Sequence, residues 1–491
     1  MKQAIQGLER STLKKSKKLI ICCDGTWKDS ASALITASSI IPGWSAFFPT
    51  RNPDEAVPTN VTRISRAIRP LDSDDRPQIV YYQAGVGTQG GIFSRLIAGA
   101  TGQGLSLNIR EAYSWLALNY VEGDEVYLIG FSRGAYTARS VSGLIRDFGL
   151  LTRDGLPYLL DIFKDWVSTG RKGYKSALAQ DDPTFSITAD PADVTAWTSA
   201  YKAELRRKGY ALPNDVPIQA IGVWETVGAL GIPLNPVLQR LGLPFDIRPY
   251  RFFDTSLSNT VKFAFQALAL DERRSAYYPA VWEKPQGVDT TLKQTWFPGS
   301  HTGVSGGYKD AGLSNITLAW MMSQLAPFID FDPTYLRKQF EANQTLLKQE
   351  KVSQSALRWA ASQLRDSASG LRALIGVKTR TPGRYHHFDR KADRPEKHHP
   401  LLDTHEHIHY AVRSREATGG LDARNRITSY HPRAMAGYTL VEKDGEQGQG
   451  TALWTYVGDD VEFEGKQLPE DALGVFEKEL FGCYHQDGFK E

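Results

Sequence analysis

Short apolar runs closed by turn formers recur through roughly the first 300 residues. They are LIICC (Leu19 to Cys23), QIVYY (Gln78 to Tyr82), EVYLI (Glu125 to Ile129), VPIQAIGVW (Val216 to Trp224) and KQTWF (Lys293 to Phe297). Their β-branched and aromatic content predicts strands. Longer stretches between them have helical spacing, such as LSLNIREAYSWLALNYV (Leu105 to Val121) and NTVKFAFQALALDERRSAYY (Asn259 to Tyr278). Strands alternating with helices predict an α/β fold, a mostly parallel sheet with helices on both faces. Beyond about residue 330 the pattern loosens: a helical stretch (Pro333 to Gln363), a Ser/Gly break (Ser367 to Gly370), a basic His-rich segment (Arg380 to Arg415) and an aromatic-acidic tail. The expected organisation is a main α/β region over 17–330 and a C-terminal helical and irregular cap over 331–491, packed on the sheet and not independent of it.

In such sheets ligands bind at the carboxyl ends of the strands, so the residues that follow each run carry the chemistry. After the first strand comes Asp24-Gly25-Thr26, after the fourth Glu225-Thr226, and after the last Pro298-Gly299-Ser300-His301. After the third comes Gly130-Phe131-Ser132-Arg133-Gly134, a G-x-S-x-G turn between a strand and the helix-compatible AYTARSVSGLI. A strand that reverses into a helix within one residue strains the serine backbone and leaves no room for neighbouring Cβ atoms, which accounts for the flanking glycines. Ser132 is therefore the candidate nucleophile. The Arg133 N–H at the helix start is a candidate oxyanion donor, with Gly25 or Thr26 as the other.

A serine hydroxyl needs a base. Nine of the ten histidines lie at or after His386; the remaining one, His301, follows the last predicted strand. That gives the order Ser, acid, His. Glu225, closing the fourth strand, is the candidate acid, which would fix the imidazole tautomer and stabilise the imidazolium. Asp24, Asp271 and Asp310 remain as supporting or alternative acids: Asp24 could brace the oxyanion loop, and Asp271 has Arg273 and Arg274 nearby as ion-pair partners.

Composition narrows the field. With 58 Lys+Arg against 55 Asp+Glu the chain carries +3, without the positive field of a general nucleic-acid binder. Three cysteines, two of them adjacent, draw neither a disulfide framework nor a CxxC metal site. No secretory signal core and no run of 18 apolar residues is present, so a soluble, cytoplasmic or intracellular protein is expected.

The same residues carry a resemblance. From Lys18 to roughly Gln324 the blocks CDGTW, TNVTRI, YYQAGVGT, GFSRGAYTAR, VWETVGALG, ALALDERR and WFPGSHTGVSGGYKDAGLSNITLAWM follow in order. This stretch resembles the α/β-hydrolase-like family that includes the first class of type VI secretion lipase effectors, which are phospholipases. The resemblance implies an α/β-hydrolase-like sheet with Ser132 as nucleophile and His301 as base. Three positions depart from the family pattern: Glu225 stands where Asp is usual, and HTGVSGG replaces H-x-D-V-G-G-G, so that Gly303 takes the place of a carboxylate and Ser305 that of a glycine.

Other signals are weaker. GVGTQGG (Gly85, Gly87, Gly90) matches G-x-G-x-x-G, but no acidic residue closes a following strand at the spacing of about 20 positions that a dinucleotide fold needs. HEHIH (His405, His407, His409) is read as surface histidines, with a metal site and His409 as a rival base as the sharper readings. The apolar stretch Ser30 to Pro49 is read as buried chain or, alternatively, a lid touching lipid, and Val237 to Phe245 as a second rim element. The sequence thus predicts a serine esterase acting on lipid or other acyl esters, without cofactor or metal and with transient membrane contact allowed. The alternative is a turnover-impaired hydrolase-fold protein that binds a hydrophobic ligand or a protein partner.

Overall fold

The computed structural model describes residues 16–25, 57–85, 103–227, 257–352, 357–368, 376–389, 394–442 and 452–486. Six strands carry the main region: β1 (Lys18–Cys23), β2 (Gln78–Gln83), β3 (Glu125–Phe131), β4 (Ile218–Trp224), β5 (Val261–Ala269) and β6 (Thr291–Phe297). Four more come from the C-terminal region: β7 (Glu406–His409), β8 (Tyr438–Glu442), β9 (Ala452–Tyr456) and β10 (Gln467–Asp471). All ten form one sheet in the order β8-β9-β10-β7-β6-β5-β4-β3-β1-β2. Pairing is parallel from β2 through β7 to β10, and antiparallel only at β10-β9 and β9-β8. The α/β class is as expected, and the C-terminal region adds strands to that sheet as well as helices and irregular chain.

The principal helices are α1 (Asn60–Ala67), α2 (Gln103–Asn119), α3 (Arg133–Phe148), α4 (Val194–Arg207), α5 (His301–Ser305), α6 (Gly312–Leu325), α7 (Tyr335–Gln349) and α8 (Val475–Gln486). Strand alternation divides them between two faces. Leu19, Ile21, Val126 and Leu128 point toward the layer of α2, α3 and α4. Ile20, Cys22, Tyr127 and Ile129 point toward α1, α6, α7 and α8. Because both faces are covered there, β1 and β3 are apolar at odd and even positions alike. Helix α6 is buried on nearly every side, which a composition without charge between Gly312 and Leu325 permits.

Asn259 to Tyr278 is a correction. It contains no long helix; Val261–Ala269 is β5, in the middle of the sheet between β4 and β6. A strand buried on both faces reads as a continuous apolar run, which periodicity alone does not separate from a buried helix.

Strand order reverses at β1, whose neighbours are β2 and β3. The crevice at such a switch point opens at the carboxyl ends, where Asp24-Gly25 and Ser132 lie. The turn from β3 into α3 is tight enough to dictate its residues. A Cβ on Gly134 would lie 2.0 Å from the Cys23 carbonyl oxygen, and one on Gly130 2.6 Å from the Gly134 carbonyl oxygen. Neither neighbour is a flexible side chain that could give way. Gly134→Ala is expected to destabilise the protein by about 3 kcal/mol or to prevent folding, measured as the loss in urea midpoint; a midpoint unchanged from wild type would contradict this packing.

Candidate active site

Three strand ends deliver the site. Ser132 follows β3 with φ 55° and ψ −118°, a conformation held by its N–H donating to the Trp224 carbonyl (3.0 Å) and its carbonyl accepting from Tyr136 N–H (3.1 Å). Glu225 follows β4 and also has positive φ (48°), with its N–H donating to the Ala267 carbonyl at 2.9 Å. Strain of this kind persists only where the surroundings over-determine it. His301 opens α5 just after β6, 2 strands beyond β4 in the sheet.

The three side chains form a hydrogen-bonded chain. His301 Nε2 lies 3.0 Å from Ser132 Oγ, and His301 Nδ1 lies 2.9 Å from Glu225 Oε2. An ionised carboxylate only accepts, so Nδ1 carries a proton, and the neutral ring then presents Nε2 to the hydroxyl as acceptor. The imidazole is packed at 4.8 Å from the Phe131 ring and edge-on to Tyr277 at 4.7 Å. His301 N–H donates to Glu272 Oε2 (3.2 Å), and Glu272 is paired with Arg274 (2.9 Å). Helix α1 fixes the far side of α5: Asn60 Nδ2 donates to the carbonyls of Val304 (3.2 Å) and Ser314 (2.9 Å).

Glu225 is enclosed by donors. Oε1 accepts from Ala269 N–H (2.7 Å) and Arg380 Nη1 (2.6 Å); Oε2 accepts from Arg380 Nη2 (2.8 Å) and His301. Burial drives this carboxyl up, but the Arg380 guanidinium and the hydrogen bonds from His301 and Arg380 outweigh burial and hold it at about 2, below its ordinary 4.5. Arg380 is itself buried and donates to the carbonyls of Ala269 (3.0 Å) and Tyr277 (2.8 Å).

The other expected acids lie on other partners. Asp24 accepts from the hydroxyls of Thr59, Thr62 and Tyr82 and from Gly25 N–H (2.7 Å); its burial raises the carboxyl against those bonds. That contact engages the Gly25 amide, which would have to leave the carboxylate to reach an oxyanion. Thr26 lies outside the described residues. Asp271 accepts from Gly299 N–H (2.7 Å) and Tyr430 OH (2.9 Å), and desolvation pushes it up to about 6. Asp310 accepts from Gly312 N–H (3.1 Å) and Gln363 N–H (2.8 Å). Gly303 lies in the first turn of α5, and the carboxylate on the imidazole is that of Glu225. The Ser305 hydroxyl is buried without a hydrogen-bond partner among the described residues.

The histidine cluster is scattered among separate partners. His405 pairs with Asp403 (2.9 Å), and His407 Nδ1 meets the His405 carbonyl (3.0 Å). His409 Nδ1 accepts from Ala411 N–H, so Nε2 carries the proton donated to Glu477 (2.7 Å). Among the described residues no group of three or more His, Cys, Asp or Glu is placed to hold a metal, and no helix is long and apolar enough to cross a membrane. Gly87 and Gly90, and the stretches Ser30 to Pro49 and Val237 to Phe245, lie outside the described residues.

Sequence reasoning missed Arg380 and Glu272. Glu272 sits beside Asp271 in ALALDERR, but the helical reading of that stretch concealed which carboxylate turns toward His301. Arg380, in TRTPGRY, carried no signal that set it apart from the other basic residues of its segment.

Fold and side chains define the class: an α/β protein with a Ser–His–carboxylate chain across the carboxyl ends of parallel strands. The chain belongs to the type VI secretion system family of Tle1-like phospholipase effector catalytic domains, whose model matches residues 17–324. An uncharacterized protein of Saccharomyces cerevisiae is 25% identical over 236 residues, covering 45% of this chain and 29% of its own length. Among solved structures, the Tle1 effector bound to the VgrG spike is 18% identical (TM-score 0.27; 61% of this chain, 52% of that one). An uncharacterized Pseudomonas aeruginosa protein is 15% identical (TM-score 0.30; 70% and 50%). The chain thus spans less than a third of the curated relative and about half of each solved structure.

Proposed function

We propose that this protein is a serine hydrolase of carboxylic esters, acting on lipid or other acyl esters. The reading is carried by the unbroken hydrogen-bonded chain Ser132–His301–Glu225. His301 Nε2 takes the Ser132 proton as Oγ bonds to the ester carbonyl carbon. In this reading the Arg133 N–H, in the first turn of α3, is the first donor to the developing oxyanion, and the second is the N–H of Thr26 or that of Gly25 once released from Asp24. Collapse breaks the ester C–O bond, and the proton on Nε2 passes to the leaving alcohol. Water then attacks the acyl-serine with His301 again as base, releasing the acid and restoring Ser132. Glu225 stays ionised throughout and stabilises the imidazolium.

Family membership favours lipid esters over other acyl compounds. Residues 331–491 in this reading cap and buttress the catalytic region of 17–330. A nitrophenyl ester series of increasing chain length, run on wild type, Ser132→Ala and His301→Ala, tests the proposal. Hydrolysis by wild type alone is expected; equal hydrolysis by all three would overturn it.

A further inference from the structure

We propose that Arg380, which lies beyond the segment matched by the family, is a positioning residue for catalysis: it holds Glu225 in the one orientation that lets His301 serve as base. The inference rests on the serine-hydrolase reading.

The Glu225 carboxylate is saturated with donors. Two carboxylate oxygens offer about four lone-pair sites, and here four donors fill them: Ala269 N–H, Arg380 Nη1, Arg380 Nη2 and His301 Nδ1. Rotating the carboxylate, or placing a proton on it, forfeits at least one of these bonds. The guanidinium does not follow Glu225 passively, because the carbonyls of Ala269 and Tyr277 fix it independently. A planar fork held at two further points presets the plane of the carboxylate it grips.

Charge around the imidazole is balanced as well. Two buried carboxylates lie on His301, Glu225 at the ring and Glu272 at its N–H. Two cations offset them, Arg380 on Glu225 and Arg274 on Glu272. Burial raises Asp271 and Tyr278, and the Arg380 charge opposes that rise at both, while Glu272 and Tyr385 favour the charged guanidinium. With Arg380 neutralised, two carboxylates and one guanidinium would surround the ring, and the imidazolium would persist to higher pH. A protonated ring cannot accept the serine proton, so the sign is fixed: the acid limb of activity moves up.

The test is the pH dependence of Ser132 labelling by a fluorophosphonate in the full chain, for wild type, Arg380→Gln and Arg380→Lys, with Ser132→Ala as blank. In Arg380→Gln the acid limb should rise by about one pH unit, so that labelling one unit below the wild-type limb falls about tenfold. Arg380→Lys keeps the charge without the fork and should place the limb between the two. A purely structural Arg380 would lower labelling by one factor at every pH and leave the limb where it was, which overturns the proposal. If Arg380→Gln fails to fold, the comparison of Arg380→Lys with wild type decides on the same criterion. Wild type that does not label, or label that survives in Ser132→Ala, overturns the serine-hydrolase reading and this inference with it; an unmoved limb on a labelled serine overturns this inference alone.

Discussion

Ser132→Ala and His301→Ala should each lower kcat on a short nitrophenyl ester by roughly 10⁴-fold or more, and the double variant should be no slower than either single one. Non-additivity follows from the geometry. The hydroxyl and the imidazole meet at the reacting end, 3.0 Å apart, so removing either leaves the other without a task. Two residues contributing separately would multiply their losses instead. Because Ser132 and His301 are both buried, the folded state of each variant is checked by its thermal midpoint. Ser132→Ala removes one oxygen and retains the strained backbone, so its midpoint should stay close to that of wild type. His301→Ala empties a ring packed between Phe131 and Tyr277 and should melt earlier. Activity loss in Ser132→Ala at an unchanged midpoint assigns the loss to chemistry.

The parts of this site legible in the sequence are those whose chemistry forces a local pattern. Ser132 was legible because a strand that turns into a helix in one residue needs Gly130 and Gly134, and the contact of Gly134 with the Cys23 carbonyl gives the reason. His301 was legible by position, as the one histidine ahead of His386. Glu225 was legible because a carboxylate at a strand end faces the rim. Arg380 was not. Its place is fixed by the C-terminal strands joining the sheet at β6 and returning residues 376–389 to the ends of β4 and β5, a long-range event with no local sequence mark. The same limit explains β5. A central strand has both faces buried, and its alternation disappears for that reason. What the sequence hides is therefore what the tertiary structure alone supplies: the middle of the sheet and the counterion of the acid.

That counterion sets the size of the last expected effect. Glu225→Gln preserves shape, yet it should cost about 10⁴-fold in kcat and about 3 kcal/mol in stability near neutral pH. The amide has only one acceptor oxygen. If that oxygen stays on Ala269 N–H and Arg380 Nη1, the NH₂ group faces both Arg380 Nη2 and His301 Nδ1. It then opposes one donor with another, and by donating to Nδ1 it moves the ring proton to Nε2, the nitrogen that must accept from Ser132. If the amide flips, the clash moves to Ala269 N–H and Arg380 Nη1. In either orientation Arg380 is left as a buried cation without its anion. The pH dependence has a definite sign. Glu225 is depressed from 4.5 to about 2 in the folded state, so its stabilisation is fully present above about 4.5 and is lost as pH falls toward 2. Urea unfolding at pH 7 should show the full gap between wild type and Glu225→Gln, and the gap should close steadily between pH 4.5 and pH 2. A gap that stays constant across that window would mean that the carboxylate at 225 is not held by Arg380 in solution. The premise shared by this prediction and the one for Arg380 would then fail, while the Ser132–His301 contact would remain to be judged by kcat alone.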